Sequence, residues 1–354
     1  MKVETEQAAP PAPAAPPRAG IPRGRNNPLI PFVRRWGVSI ASLVGGVLTL
    51  AVFRHEVQHV RWLVGYLLLA WIISALAVNV HRTVMAAERR VHRLVVAAAD
   101  YAIQSLHHGV LLFLLPPYWA SVTPTSLNAP FFVLVLALAL LATFDPWYRA
   151  LVHPRPWLGA LFFFVSTFGA LNLALPLVGV PPHVALPLAA WVATVALTPA
   201  LVQARGWSWL EALGGLAIAG IAMAALIYGG RAAVPPAPLF VADARLGWNV
   251  APLDVLQPVA RAIPVRELRE RGLVAHTAVY APAGLTQPIR HVWRQDGRVV
   301  DDVTLSPVHG GRYQGFRTFS RKTAWPADPR GRWVVDVVTG AGQLVGRLSF
   351  RVVG

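Results

Sequence analysis

The sequence predicts an α-helical polytopic membrane bundle of about seven transmembrane helices, followed by an all-β, sandwich-like extracytoplasmic domain. The bundle is predicted by composition, because 55% of the 354 residues are hydrophobic and only 14% are charged, whereas soluble globular chains are less apolar and more charged. The second domain is predicted by a change after residue 238, where charged residues and short alternating runs replace the long apolar runs.

The chain is also strongly basic. Its 32 Lys+Arg residues outnumber 16 Asp+Glu residues and give a net charge of +16, so we expect anionic partners. Because the sequence contains no cysteine, disulfides, thiolate zinc sites, cysteine-held iron–sulfur clusters and cysteine nucleophiles are excluded. No cofactor is predicted.

The N-terminal part divides into a tail and a transmembrane domain. Residues 1–28 are rich in Pro and Ala, a composition that buries too little apolar surface to fold, so we predict a disordered tail. Residues 29–230 form the predicted transmembrane domain, because a spanning helix needs about 20 apolar residues and such runs recur here. The predicted spans are 37–53, 62–80, 94–115, 130–144, 157–175, 184–202 and 209–228.

The distribution of Lys and Arg predicts the orientation of these spans, since cations in short loops are retained on the cytoplasmic side. Thirteen cations lie on the N-terminal side of the seven spans, against three on the other side. The thirteen are Lys2, Arg18, Arg23, Arg25, Arg34, Arg35, Arg82, Arg89, Arg90, Arg93, Arg149, Arg155 and Arg205, and the three are Arg54, Arg61 and Arg231. We therefore predict a cytoplasmic N-terminus, with everything after residue 229 outside the cytoplasm.

A Pro-rich linker at 231–238 precedes a predicted soluble domain at 239–354, which contains 16 Lys+Arg and 9 Asp+Glu. Short alternating runs separated by turn residues predict six strands of an antiparallel sandwich. The Glu/Arg-rich spacing at 258–271 predicts a short helix before them. The predicted strands are 273–280, 288–295, 298–305, 313–321, 332–339 and 343–353.

Four motifs of this domain resemble a known family. They are Gly284-Leu285, IRHVWRQDG at 289–297, GGRYQGFRTFS at 310–320 and GRWVVDVVTGAGQLVGRLSFRV at 331–352. The run from Val265 to Val353 is similar to a domain of unknown function at the C-termini of bacterial membrane proteins. The resemblance implies an uncharacterised bacterial multi-span protein of the inner (cytoplasmic) membrane with a C-terminal β-rich domain. The orientation predicted from Lys and Arg places that domain in the periplasm. The resemblance supplies no activity and no catalytic residues.

One motif suggests a metal site. His55, Glu56 and His59 match H-E-x-x-H, in which two histidines one helical turn apart bind zinc and the glutamate activates the bound water. Here the motif lies in a short loop between the first two predicted spans, and the charges of Arg54 and Arg61 beside it oppose a cation. A third ligand is also required. An intramembrane metalloprotease is therefore the weakest alternative, and no metal site is predicted.

The third predicted span carries a polar stripe, because a rotation of about 100° per residue places its four polar residues on one helix face. These residues are Asp100, Gln104, His107 and His108. Polar and ionisable groups inside a membrane are costly and mark functional sites, which indicates a proton- or ligand-handling role. The alternative is structural, with the stripe bonding neighbouring helices through Asn79 or Asn172.

The β-rich domain interleaves arginine with aromatic residues. Since alternate residues of a strand share a face, Arg317, Phe319 and Arg321 are predicted to point one way, and Phe316, Thr318 and Ser320 the other. The candidate binding face comprises Trp293, Arg317, Phe319, Arg321 and Lys322. The alternative is a solvated face of an arginine-rich protein.

Two classes of function remain open. The leading hypothesis is non-enzymatic: a membrane-anchored extracytoplasmic module that binds or senses an anionic glycan, a lipid headgroup or an acidic envelope protein. The lipid bilayer is the other expected partner, and nucleic acid is not expected outside the cytoplasm. The alternative is a transporter or an intramembrane enzyme that uses the polar stripe of the third span.

Overall fold

The computed structural model describes residues 89–250, 255–259 and 261–354. Helices come first in the described chain, and a β-rich region follows. The tail at 1–28, the predicted spans at 37–53 and 62–80, and the candidate metal ligands His55, Glu56 and His59 lie outside the described residues.

The helices before the β-rich region are α1 (Arg89–Ser121), α2 (Ala129–Thr143), α3 (Asp145–Leu151), α4 (Pro156–Leu177), α5 (Pro182–Val195), α6 (Thr198–Arg205) and α7 (Trp209–Gly229). Proline lies in the first turn of α2, α4, α5 and α6, where its missing N–H leaves no bond unmade. Gly206, at a φ of +68°, ends α6. Ser208 and Glu211 then form a reciprocal capping box at the start of α7.

Three segments of the described chain are long and apolar enough to cross a membrane: Pro156–Leu177, Pro182–Arg205 and Trp209–Gly229. α2 and α3 give a fourth if they count as one span, although the chain bends by 106° between them. α1 contains the predicted span 94–115 but is not in this set, in keeping with its polar stripe. The structure thus confirms apolar helices before a β-rich region, while the count of seven spans stays a prediction.

The strands form two main sheets and a two-stranded ribbon. One sheet has the order β2-β1-β4-β9, the other has the order β3-β11-β10-β6-β7, and β5 pairs with β8. Side chains from both main sheets meet in one apolar core. The strands are β1 (Phe240–Val250), β2 (Val255–Pro258), β3 (Ala262–Pro264), β4 (Leu273–Tyr280), β5 (Thr286–Gln287), β6 (Ile289–Gln295), β7 (Arg298–Thr304), β8 (Val308–His309), β9 (Phe316–Lys322), β10 (Gly331–Thr339) and β11 (Leu344–Val353).

All six predicted strands are present as β4, β6, β7, β9, β10 and β11. The sequence does not predict β1, because a register shift between Val241 and Asp243 interrupts the alternation of this strand. The helix predicted at 258–271 is shorter than expected and occupies only α8 (Val265–Arg271). Its first part is instead β3, which pairs in parallel with β11.

The core of the β-rich region is built on aromatic side chains. Trp293 and Trp333 are fully buried. Trp325 lies edge-on to Trp333 with ring centroids 5.1 Å apart, and Phe350 stacks on Trp333 at 6.0 Å. Such rings bury a large apolar area in fixed relative orientations, and here they cover the inner face of the five-stranded sheet.

A polar network crosses this core at His291. Its Nδ1 lies 2.8 Å from Ser320 Oγ, and its Nε2 lies 3.0 Å from Thr277 Oγ1. Trp293 Nε1 donates to the same Ser320 oxygen at 3.1 Å. Both imidazole nitrogens therefore have partners, as buried polar groups require.

The β-rich region contacts the ends of the helices directly. Asn128 Nδ2, just before α2, donates to the Leu344 carbonyl at 3.4 Å. Arg347 donates to the Thr125 carbonyl at 3.3 Å, in the turn between α1 and α2. After α7, Arg231 Nε donates to the Ala341 carbonyl at 2.6 Å. These bonds tie the β10–β11 hairpin to the turn at 122–128 and to the segment that follows α7.

We expect His291 to make the stability of the β-rich region pH-dependent. Burial, with a smaller contribution from His276, lowers the pKa of His291 from 6.5 to about 4. Above pH 6.5 this site has no effect, but between pH 6.5 and 4 only the unfolded chain takes up the proton. We therefore expect the free energy of unfolding to fall by about 3 kcal/mol across this window, measured by denaturant unfolding of the full chain in detergent.

The matched control is exposed His309, which pairs with Thr286 at the surface. The variant His309→Gln should keep the pH dependence, and His291→Gln should lose most of it. An equally steep dependence in His291→Gln would show that another group is responsible.

Candidate functional site

Strand β9 displays the predicted alternation. Arg317, Phe319 and Arg321 are exposed, with Phe319 at 48%, whereas Thr318 and Ser320 are buried in the core. We call Arg317, Phe319 and Arg321 the β9 row. The exposure pattern along β9 is the one that strand alternation predicts, and the role of this face in binding stays a prediction.

Two predicted members of the binding face do not lie in the β9 row, and that part of the prediction is wrong. Trp293 is fully buried between the sheets. The Lys322 side chain is only 5% exposed, and its Nζ donates to Asp301 Oδ2 at 2.9 Å, near the Trp325 ring. Lys322 follows Ser320 by two residues, so the period of the strand directs it inward, and its ion pair with Asp301 compensates the buried charge.

The β9 row lies at an edge of its sheet, and the neighbouring strands extend its outward face. Phe319 is the cross-strand neighbour of His276 on β4, which in turn faces Arg245 on β1. Because cross-strand neighbours share a face, Arg245 belongs to the same surface, where it forms an exposed ion pair with Asp243 at 3.1 Å. Arg321 donates to the Arg271 carbonyl at 3.3 Å. The surface is thus basic, with the exposed Phe319 ring between two arginines on its edge strand.

The polar stripe of α1 meets the bend between α2 and α3. Gln104 Nε2 donates to the Ala142 carbonyl at 3.1 Å and to Asp145 Oδ1 at 2.7 Å. His108 Nδ1 lies 3.1 Å from Thr143 Oγ1. The last carbonyls of a helix lack intrahelical partners, and Gln104 satisfies one of them. Asp100 lies one turn before Gln104 on α1.

His107 differs from the other members of the stripe. It is 4% exposed and lies against two rings of α4, Phe162 at 5.9 Å and Phe163 at 6.0 Å between centroids. Neither ring nitrogen has a hydrogen-bond partner within the part of the chain that the structure describes. A buried polar group without a partner costs free energy, so this position needs a reason beyond packing.

Asn172, one of the two neighbours that the sequence proposed for the stripe, makes its side-chain hydrogen bond elsewhere. Asn172 donates to the Tyr118 hydroxyl at 3.0 Å, and that hydroxyl donates to the Gly169 carbonyl at 3.1 Å. These bonds join α1 to α4 near the C-terminal end of α1, away from the stripe. Asn79 lies outside the described residues.

A charged cleft that the sequence does not predict lies on the outward face of the five-stranded sheet. It has a volume of about 690 Å³. Its lining comes from β6, β10 and β11, from the turn after β6, and from Thr125 between α1 and α2. We call it the arginine cleft, and it is lined by Thr125, Arg294, Asp296, Gly297, Arg332, Val334, Asp336 and Arg347.

Asp336 lies at the base of the arginine cleft and is 3% exposed. Arg347 donates to it from two nitrogens, from Nε to Oδ1 at 2.5 Å and from Nη2 to Oδ2 at 3.1 Å. Arg294 donates from Nε to Oδ2 at 3.1 Å. The alternation of Arg332, Val334 and Asp336 on β10 is the only local signal of this site. The other lining residues come from distant parts of the sequence, which is why sequence analysis missed it.

The described residues contain no group of three or more His, Cys, Asp or Glu side chains that could hold a metal ion. The histidines that the structure describes are instead dispersed over the helical part and the β-rich region. The described residues therefore present two basic surfaces, the β9 row and the arginine cleft, and one imidazole, that of His107, without a hydrogen-bond partner among them.

Two family models match the chain. Residues 286–352 match the family model described as protein of unknown function (DUF2914). This match confirms the resemblance of the C-terminal motifs to a domain of unknown function. Residues 25–275 match the family of unknown function DUF5924. No curated protein and no solved structure matches the chain. Because the match at 25–275 covers more than half of the sequence, this chain belongs to the family of unknown function DUF5924.

Proposed function

We propose that the chain is a membrane-anchored, non-enzymatic module whose β-rich region binds an anionic component of the cell envelope. The single observation that carries this proposal is the β9 row, in which two exposed arginines flank an exposed phenylalanine. Aromatic residues and arginine are enriched at binding interfaces relative to the rest of a protein surface. The helices serve as the anchor.

The spacing of the β9 row favours an extended ligand. Residues two apart on a strand are separated by about 6.6–6.8 Å, so Arg317 and Arg321 lie about 13 Å apart with the Phe319 ring between them. A ligand that fits carries repeated anionic groups and an apolar surface between them. An anionic glycan has both features, because its sugar rings alternate with its charges. Lipid headgroups and acidic envelope proteins are the other candidates of the same charge.

We further propose seven spans in a bacterial inner membrane, a cytoplasmic N-terminus and a periplasmic β-rich region. The turns at 122–128 and 178–181 contain no Lys or Arg, whereas the opposite ends of the helices carry Arg149, Arg155 and Arg205. This asymmetry supports the orientation. The hydrogen bonds of the β10–β11 hairpin to the turn at 122–128 also support it, because they join the β-rich region to the cation-free ends.

A second candidate function rests on His107. Its buried imidazole lacks a partner among the described residues, and it shares a helix face with Asp100, Gln104 and His108. Histidine changes its charge near physiological pH when unperturbed. The helical part would then move protons or a small polar substrate, with the β-rich region recruiting or gating.

The orientation is tested by alkaline phosphatase fusions, since this enzyme is active only outside the cytoplasm. A fusion after Gly354 should be active, and a fusion after Ala86 should be inactive. Expression of both fusions is compared by immunoblot. The reverse pattern would overturn the proposed topology.

The binding function is tested with the full chain in detergent micelles and an oligogalacturonate, a carboxylated glycan, with uncharged dextran as the reference ligand. We expect saturable binding of the oligogalacturonate that weakens with added salt. Arg317→Ala and Arg321→Ala should each weaken it by about threefold to tenfold, because each removes charge-assisted hydrogen bonds. Calorimetric titration gives the dissociation constants.

The matched control for the β9 row is Arg298→Ala, which removes an exposed arginine from the other sheet. It should bind like the unmodified chain. If Arg298→Ala weakens binding as much as Arg317→Ala, only net charge matters and the β9 row is not the site. If the oligogalacturonate does not bind, the glycan is excluded, and anionic vesicles and acidic proteins are tested in the same format.

The second candidate predicts opposite effects of one substitution on stability and activity. His107→Leu replaces an unpartnered polar group with an apolar one, so it should stabilise the bundle by about 1 kcal/mol or more. Proteoliposomes of the unmodified chain should dissipate an imposed pH gradient faster than those of His107→Leu, measured with an internal pH-sensitive dye. Exposed His153 provides the control His153→Leu. Equal rates in all three samples would leave the stripe with a structural role alone.

A further inference from the structure

We propose that the arginine cleft binds the phosphate group of a phosphate ester. The proposal concerns the outward face of the five-stranded sheet, whereas the β9 row lies on the four-stranded sheet. It does not rest on the binding function proposed above. It rests on the donors that the cleft presents, on its size and on its position beside the turn at 122–128.

The Asp336 carboxylate holds two of the three arginine side chains in position. Its carboxylate is buried, and both oxygens accept hydrogen bonds from Arg347 or Arg294. Arg294 also donates from Nη1 to the Gly297 carbonyl at 3.4 Å. Guanidinium groups held in this way lose little freedom when a ligand binds, which favours affinity.

Three of the four carboxylate oxygens of the cleft accept hydrogen bonds from the protein. Both oxygens of Asp336 accept from the two arginines, and Asp296 Oδ1 accepts the backbone N–H of Arg332 at 2.9 Å. The remaining N–H groups of Arg294 and Arg347 outnumber the one carboxylate oxygen, Asp296 Oδ2, that has no such bond within the described residues, so a ligand meets mainly donors. An incoming molecule must supply acceptors, which points to an oxyanion.

Arg332 supplies the charge that is not neutralised by ion pairs. Its side chain is exposed, and in the described residues its guanidinium has no hydrogen-bond or ion-pair partner. Three arginines against two aspartates leave the cleft with a net charge of +1. A planar guanidinium binds phosphate oxygens in pairs, so Arg332 can close on a ligand that Arg294 and Arg347 already hold.

The size and position of the cleft narrow the ligand class. A volume of about 690 Å³ lies in the range of small-molecule pockets and exceeds the needs of a single ion. Thr125 lines the cleft and belongs to the turn that joins α1 to α2. The phosphate group therefore comes either from a lipid headgroup next to the helices or from a soluble phosphate ester.

The test uses the full chain in dodecyl maltoside and two probes, short-chain dihexanoyl phosphatidylglycerol and tripolyphosphate. We expect saturable binding of at least one probe by calorimetric titration. Arg332→Gln should weaken it about tenfold, because it removes the unpaired guanidinium. Arg332→Lys keeps the charge but loses the paired geometry. Its affinity should lie between that of the unmodified chain and that of Arg332→Gln. Because Arg332 is exposed and unpaired, neither variant should change the unfolding temperature.

Arg298→Gln is the matched control, since Arg298 is exposed on β7 and does not line the cleft. It should bind both probes like the unmodified chain. Binding of the lipid alone assigns the cleft to headgroups, binding of tripolyphosphate alone assigns it to soluble esters, and binding of both establishes the phosphate group itself. Absence of saturable binding to both probes, or equal affinities of Arg332→Gln and Arg298→Gln, would overturn the proposal.

Discussion

Asp336 carries a carboxylate at 3% exposure on the middle strand of the five-stranded sheet, and a charge removed from water must be compensated where it lies. The strands on either side supply that compensation, β6 through Arg294 and β11 through Arg347. Arg347 then reaches the Thr125 carbonyl between α1 and α2. Removing one partner from a buried ion pair costs about 3–5 kcal/mol, so the outward face of the sheet, its attachment to the helices and the orientation of the cleft arginines all depend on one carboxylate.

The need of buried polar groups for partners also divides the polar stripe of α1 into two parts. Gln104 and His108 lie where the chain bends by 106° between α2 and α3, and the bend offers them a carbonyl, a hydroxyl and a carboxylate. A sharp bend frees backbone groups that a straight helix would pair within itself, so the stripe and the bend satisfy each other. His107 faces the phenylalanines of α4 instead. Structural bonding accounts for Gln104 and His108, but it does not account for the imidazole of His107.

Periodicity predicts what is local and misses what the fold assembles. The six predicted strands and the β9 row follow from alternation within single segments, and the shared face of the α1 stripe follows from helical spacing. The partner of Gln104 could not be predicted, because Asp145 lies 41 residues away. Trp293 and Lys322 were assigned to a surface from composition, and the period of β9 alone would have placed Lys322 inside. The arginine cleft combines three strands with a turn more than 160 residues earlier in the chain, so no sequence window contains it.

The boundary between the two family matches lies inside the β-rich region and not at the Pro-rich linker. The first match ends at residue 275 inside β4, and the second begins at residue 286, where β5 starts. Strand pairing crosses that boundary in both sheets, since β4 pairs with β9 and β3 pairs in parallel with β11. Main-chain hydrogen bonds of a buried sheet have no substitute when a strand is missing. The segment at 286–352 therefore lacks the strands that complete both of its sheets, and the β9 row rests on β4. The outward face of the four-stranded sheet thus combines residues of both matched segments, so the proposed binding has to be measured on the full chain.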